Sequence, residues 1–237
     1  MLYLIGIGLD SYGISKQGLD IVKKAKKIYL ENYTVDFPYN LGWIEDVLDK
    51  KIIYADRKKV ESLELVDEAK KQDVVLLIYG SPLTATTHIT LIQECKASEV
   101  KCRVIHNASI LDAVAETGLQ LYKFGKTASM PAWKKSYEPT SFIEIVKDNI
   151  KIDAHTLILT DIGLGLGDAI RQLEISAKKE GIKLDKVIIT SKLGTDRSKI
   201  VYDKIDRLKD FEIEKPYCII IPGKLHFVES EFLSNSN

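Results

Sequence analysis

The chain has 237 residues, 45% of them apolar, and its 34 basic residues balance its 34 acidic ones. That length fits one large or two small domains with a real core, and a net charge of zero argues against a broad electrostatic grip on nucleic acid. No apolar run approaches the roughly 18 residues of a membrane span, the first residues lack a secretory-signal pattern, and three scattered cysteines and four histidines show no disulfide or zinc spacing, so a soluble, cytoplasmic protein without a metal is expected.

Taken in chain order, the pattern alternates strand and helix. Leu2 to Ile7 is continuous and apolar, as a buried strand is. Ser15 is placed to cap a helix over Lys16 to Lys27, whose apolar positions Leu19, Ile21, Val22 and Ala25 fall near one face. Ile28 to Glu31 is a short strand, Leu41 to Leu48 a short helix, and Ile52 to Ala55 another strand. A helix is expected over Val60 to Lys71, a central strand over Val74 to Tyr79 and a helix over Thr87 to Ala97. Arg103 to His106 is a strand and Ser109 to Thr117 a helix.

The pattern breaks near "GLQLYKFGK", Gly118 to Lys126, and then resumes. A strand is expected near Thr127, a helix over Ser141 to Asn149, a strand over Thr156 to Asp161 and a helix over Asp168 to Glu180. Val187 to Thr190 is a strand, "SKIVYDKIDRLKDF" a short strand running into a helix, and "YCIIIPG" a buried strand. The tail from Leu225 to Leu233 reads as an amphipathic helix. Strands alternating with helices imply crossover units and largely parallel sheets. Ten strands in one sheet would be unusual at this length. The expected fold is therefore α/β with two αβα domains and mainly parallel sheets, residues 1–125 and 126–237.

In open α/β sheets, ligands bind beyond the carboxyl ends of strands, where helix amino ends point unpaired N–H groups. Four stretches occupy such places. Gly6-Ile7-Gly8 follows the first strand and permits a tight turn or close approach by a ligand. A dinucleotide fingerprint would need a third glycine where Ser11 stands, although Glu31 sits where its acidic partner belongs. "YGSPLTATTH", Tyr79 to His88, sets small hydroxyls after the strongest strand; it reads as a binding loop, or as helix capping by Thr86 or Thr87. "VIHNASI" ends in Ser109, a natural N-cap, which alone accounts for it. "IIIPGKLHFVE" sets Lys224 and His226 after a strand, either toward an anionic substrate or as a surface turn.

"FGKT", Phe124 to Thr127, looks like the end of a phosphate loop but lacks glycine at Gln120. Nucleophile elbows, metalloprotease motifs and carboxylate clusters are missing from the sequence. Many small polar groups and few strong acids or bases suit a reaction that needs placement more than proton chemistry. Methyl transfer from a sulfonium donor is one such reaction.

The ordered set "YLIGIGL", "SPLTATTH", "HNASI", "GLQLYKFGK", "YEPTSF" and "PGKLHFVESEFL" resembles the archaeal diphthine synthase family of tetrapyrrole-methylase-like methyltransferases, from Met1 to about Leu233. The resemblance implies S-adenosylmethionine bound in the cleft between two α/β domains, and a homodimer. It implies methylation of the amino group of a 3-amino-3-carboxypropyl chain on one histidine of translation elongation factor 2, a step of diphthamide biosynthesis. Carried over by position, the cofactor-binding residues are Leu9, Ser81, Thr84, Ser109 and Ile110, with Thr160, Leu193 and Tyr217 from the second domain. No catalytic base is implied. Trp133 or Tyr137 would lie against the growing ammonium or pack in the core.

Two departures stand out. The family usually reads Gly-Asp-Pro where this chain has Gly80-Ser81-Pro82, and Asp161-Ile162 runs here into "GLGLGD". Three rival readings remain open from the residues: a sister methyltransferase acting on a tetrapyrrole or ribosomal RNA, a nicotinamide-dependent oxidoreductase, and a non-catalytic adaptor.

Overall fold

The structure, a computed structural model, describes residues 1–235. The chain divides into two compact units, Met1–Ala113 and the remainder from Val114. The sequence break at 118–126 lies inside the second unit.

The first unit is built from β1 (Leu2–Gly6), α1 (Lys16–Lys24), β2 (Lys27–Glu31), α2 (Gly42–Leu48), β3 (Ile53–Ala55), α3 (Arg57–Glu61), α4 (Glu64–Ala69), β4 (Val74–Ile78), α5 (Ile89–Ala97), β5 (Cys102–Ile105) and α6 (Ile110–Ala113). Its five strands run in the order β3-β2-β4-β1-β5, every pair parallel. β4 is buried at all five positions because both of its faces are covered, which is why it reads as an unbroken apolar run. Alternate residues feed different clusters. Leu2, Leu4, Leu76 and Ile78 pack with Leu65, Val66, Leu91 and Cys95 of α4 and α5. Ile5, Val75 and Leu77 pack with Val22 of α1 and with Ile44 and Leu48 of α2.

The helices that follow β1 and β4 therefore lie on opposite faces of the sheet, although the two strands are neighbours. That is a topological switch point, where an open α/β sheet parts its loops and leaves a crevice.

Local chemistry sets the helix ends. Ser15 Oγ accepts the Gly18 N–H at 3.1 Å, so the expected cap forms. The single helix expected over 60–71 is instead two short ones. Asp56 accepts the Lys59 N–H at 2.8 Å and starts α3 early, and Leu63 then turns left-handed (φ 64°) while packing against the core.

The second unit contains β6 (Ala128–Met130), α7 (Ser141–Lys151), β7 (Thr156–Thr160), α8 (Leu166–Lys179), β8 (Lys186–Ser191), β9 (Lys199–Lys204), β10 (Tyr217–Ile221) and α9 (Phe227–Asn235). The strand order is β6-β7-β10-β8-β9. β6 and β7 are parallel, whereas β10 runs antiparallel to both β7 and β8, and β9 antiparallel to β8. The sheet is mixed because β8 returns directly through a short turn into β9, and β10 then inserts between β7 and β8. Phe142, Ile143 and Val146 of α7 and Ile170 and Leu173 of α8 cover one face.

A buried carboxylate ties the ends of this unit together. Glu229 on α9 accepts from Lys123 Nζ at 2.5 Å, from the Gln120 N–H at 2.9 Å and from the His226 N–H at 2.7 Å. His155 lies beside it, Nε2 to Oε1 3.1 Å. The Gly223 N–H donates to His155 Nδ1 at 2.9 Å, so the ring is neutral with its hydrogen on Nε2, aimed at Glu229.

These contacts make sense of the "YKFGK" and "PGKLH" stretches. Gly125 is pinned against Asn149, whose amide bridges both main-chain groups of Lys126. A Cβ on Gly223 would stand 2.5 Å from the Asp153 carbonyl. "FGKT" is therefore a packed joint in the chain.

Burial works against the Glu229 charge, but hydrogen bonds from Lys123, Gln120, His226 and His155 outweigh it and hold its pKa down at about 2 against an ordinary 4.5. Burial depresses the His155 pKa below 6.5. Both groups have folded pKa values below their unfolded ones, so both stabilise above the unfolded value and lose that contribution as pH falls. Urea unfolding should show stability declining below pH 6.5 and more steeply between about 4.5 and 2. Glu229→Gln should cost about 3 kcal/mol at pH 7 and flatten the steeper part of that decline; an unchanged slope would refute the assignment.

Candidate functional site

Five of the sequence-predicted residues come to one end of the first sheet. β4, β1 and β5 are adjacent; Leu9 follows β1, Ser81 and Thr84 follow β4, and Ser109 and Ile110 follow β5. The loops are joined as well as neighbouring. Gly80 donates its N–H to the Gly8 carbonyl at 2.9 Å, and Gly8 returns the bond at 3.2 Å. Both have positive φ, 75° and 70°, which side chains with a Cβ rarely tolerate. Gly6 is held as tightly: a Cβ there would meet the Gly80 carbonyl at 2.4 Å.

Asn107 ties in the third loop. Its Nδ2 donates to the Gly6 carbonyl at 2.9 Å and to the Gly13 carbonyl at 2.8 Å, while its Oδ1 accepts the Ala108 N–H at 2.8 Å. One side chain thus fixes the end of β1, the turn that follows it and the start of the β5 loop. Sequence reasoning passed over this residue, because capping by Ser109 seemed to account for the stretch. The available signal was an Asn at the carboxyl end of a strand, a residue type that bonds nearby backbone.

The individual environments differ. Leu9 and Ser81 are buried and Thr84 half-buried. Ser81 Oγ lies 3.4 Å from His106 Nδ1, too long for a strong bond, so the hydroxyl remains largely uncommitted. The Thr84 N–H donates to the Ser81 carbonyl at 3.1 Å. Ser109 does not cap its helix by accepting. Its Oγ and its N–H both donate to Asp112, at 2.5 and 2.9 Å, so its hydroxyl keeps lone pairs for an incoming donor. Capping by Thr86 or Thr87 is also not what forms: Thr86 Oγ1 donates back to the Pro82 carbonyl at 2.8 Å, and α5 begins at Ile89 with no side-chain cap.

The other three residues meet in the second unit. Because β10 runs antiparallel between β7 and β8, its first residue lies beside the last residues of both. Tyr217 pairs with Ser191, and Thr160 Oγ1 donates to the Tyr217 carbonyl at 2.9 Å. The Lys192 N–H donates to the Pro216 carbonyl at 2.9 Å, which sets buried Leu193 next to that corner. The Tyr217 ring is buried and its hydroxyl has no hydrogen-bond partner among the described residues. Burial pushes its pKa up, so it stays a neutral phenol able to donate. A buried hydroxyl without a protein partner is available to a ligand or to a water. Within the first unit, apolar Leu9 and Ile110 beside hydroxyls at Ser81 and Ser109 suit a nucleoside-like ligand, apolar in body and polar at its edges.

Other candidates resolve differently. Glu31 is 1% exposed and faces His88, so it cannot serve as the ribose-binding acid of a dinucleotide site. In the fourth loop, the Lys224 carbonyl and the His226 N–H are engaged in the Glu229 network, with both side chains exposed. Trp133 gives its Nε1–H to the Pro139 carbonyl at 3.0 Å, and Lys179 already lies over its ring. Tyr137 is 59% exposed and takes no part in a core. Among the described residues no group of His, Cys, Asp and Glu could hold a metal ion, and no helix is long and apolar enough to cross a membrane.

Residues 1–209 match the family of tetrapyrrole (corrin/porphyrin) methylases. Over nearly its whole length the chain is similar to the diphthine synthase of Methanocaldococcus jannaschii, at 39% identity covering 98% of this chain and 97% of the relative. It is also similar to the diphthine methyl ester synthase of Schizosaccharomyces pombe, at 33% identity covering 98% and 93%. A crystal structure of diphthine synthase superposes with a TM-score of 0.91 at 32% identity, covering 99% of this chain and 95% of that one.

The Asn107 arrangement makes a directional claim. Asn107→Ala removes three hydrogen bonds and should lower unfolding free energy by about 2–3 kcal/mol. Asn107→Asp keeps the shape but sets a carboxylate against two carbonyl oxygens. Its destabilisation at pH 7 should exceed that of Ala and shrink once the acid is protonated; denaturation curves that rank Asp above Ala in stability at pH 7 would contradict the bonding scheme.

Proposed function

We propose, on the premise that this chain belongs to the tetrapyrrole (corrin/porphyrin) methylase family and within it to the diphthine synthases, that it methylates the amino group of the 3-amino-3-carboxypropyl side chain on the modified histidine of translation elongation factor 2. The chain is an S-adenosylmethionine-dependent methyltransferase of diphthamide biosynthesis. The observation that carries the finer reading is the joining of three loops at the ends of β4, β1 and β5, which sets Leu9, Ser81, Thr84, Ser109 and Ile110 in fixed relation.

S-adenosylmethionine, when bound, supplies a methyl group on a positively charged sulfur. The residues of this chain bind and orient. Leu9 and Ile110 give apolar cover and keep water away. The Ser81 and Ser109 hydroxyls accept from the donor's polar groups, and Thr84 holds the second loop in shape through its N–H. Thr160, Leu193 and Tyr217 are assigned as the second unit's contacts, with the Tyr217 hydroxyl as a neutral hydrogen-bond donor. Methyl transfer needs sulfur, carbon and nitrogen in line at about 3–3.5 Å, so rigid placement supplies much of the acceleration. The acceptor amine arrives unprotonated, and its proton passes to water or to the substrate's own carboxylate. The working form is assigned as a homodimer.

Two measurements test this. Mass spectrometry of elongation factor 2 after incubation with this protein and S-adenosylmethionine should show methyl groups on the modified histidine. Methyl groups removable by mild base would mark ester formation instead of N-methylation. Ser109→Leu should abolish binding of S-adenosylhomocysteine in calorimetry while circular dichroism stays unchanged; a folded variant that binds as well as the parent would discard the assigned contacts.

A further inference from the structure

A pair of ionisable side chains lies buried behind the second loop, outside the donor contacts. Glu31 ends β2, and His88 closes the "SPLTATTH" segment. Their side chains are 0% and 1% exposed. His88 Nε2 faces Glu31 Oε2, and Thr34 Oγ1 donates to the other carboxylate oxygen. On the far side of the ring, Nδ1 lies 3.1 Å from the Pro82 carbonyl.

The protons follow from these contacts. A carbonyl oxygen only accepts, so Nδ1 carries a hydrogen. Nε2 and the carboxylate oxygen would repel as two bare lone pairs, so one proton also lies between them, on either partner. Glu31 therefore selects the ring state that donates to Pro82.

That carbonyl is where the loop is held from two sides. It also accepts from Thr86 Oγ1 at 2.8 Å, and Pro82 sits between Ser81 and Thr84. Ala85 takes a left-handed conformation, φ 54°, one that a residue with a Cβ adopts only when its surroundings hold it there. The chain of contacts runs from the end of β2, through the imidazole, to the loop after the neighbouring strand β4.

We propose that His88 and Glu31 are positioning residues for the donor. Acting through the Pro82 carbonyl, they set the geometry of the loop that presents Ser81 and Thr84. The proposal rests on the reading of that loop as a donor site. It gives Glu31 a task that a ribose-binding acid on the surface would not have, and it explains why a polar, hydrogen-bonded pair is kept in a core where apolar residues would pack at less cost.

The test separates geometry from stability. Asn places an amide N–H near the position of Nδ1, whereas Gln reaches toward Glu31 and leaves the Pro82 carbonyl with the Thr86 hydroxyl but without its donor from position 88. His88→Gln should weaken S-adenosylhomocysteine binding about tenfold in calorimetry, the loss expected from one misplaced hydrogen-bonding loop. His88→Asn should stay within about threefold of the parent. Leu91→Ala, a cavity in the same helix, should lower Tm and leave binding unchanged. Long-range proton–nitrogen NMR of the parent should show a hydrogen on His88 Nδ1. Gln binding as well as the parent, Asn binding as poorly as Gln, or a bare Nδ1 would each overturn the proposal. Failure of the parent itself to bind would overturn the donor reading, and the proposal with it.

Discussion

Two glycines facing each other across neighbouring loops set the terms for the first unit. At the switch point between β1 and β4 the following helices depart on opposite faces, and left to themselves the loops would splay. The Gly8–Gly80 pair carries backbone bonding past the ends of the strands and prevents that. It can do so because both residues accept positive φ and because Gly6 leaves room for the Gly80 carbonyl. Asn107 then extends the same constraint to the loop after β5. What looks in the sequence like a weak cofactor motif is a cross-tie whose first role is mechanical. On the proposed reading, the donor meets three loops that are already tied together, so less ordering remains to be done on binding.

Much of this organisation is legible in the residues. The buried strands Val74–Ile78 and Tyr217–Ile221 stand out because covering both faces removes polar alternation, and Ser15 caps α1 as its spacing requires. Other features are not legible, for identifiable reasons. Periodicity alone carried one helix through 60–71, but Leu63 turns left-handed to reach the core, a choice made by packing over local preference. The direction of β10 is also hidden. A buried strand reads the same parallel or antiparallel, and only its insertion between β7 and β8 decides. At the site, positions after strands mark the loops, whereas the five first-unit residues come from the family resemblance. The role of Asn107 is not legible, since its partners at Gly6 and Gly13 are distant in sequence.

The second unit shows how specific motifs can mark architecture. "YKFGK" and "PGKLH" are among the stretches that carry the resemblance to diphthine synthases, and an active role for their lysines and histidine is a natural first thought. In the structure their shared partner is Glu229, which gathers Lys123, two backbone amides and His155 around one buried carboxylate. The glycines in both motifs sit where a Cβ would collide, against Asn149 in one case and Asp153 in the other. The motifs are linked because they meet at one point, and their spacing in the chain is the spacing of α9 from the segment it holds.

The substitution of Ser81 for the usual acid can be weighed on the same grounds. A carboxylate in that buried position would bring a charge that needs partners, and the nearest polar side-chain group is a histidine nitrogen at 3.4 Å. Ser81 keeps an acceptor without that requirement. The buried carboxyl elsewhere in the first unit, Glu31, faces His88 and accepts from Thr34. On the proposed donor reading, a carboxylate beside these loops, Asp112, already takes the Ser109 hydroxyl and N–H. Placement of the donor then rests on shape and on hydroxyls and amides that are already in place. That demand is met by loops tied backbone to backbone, and it would not be met by the same side chains on loops free to move.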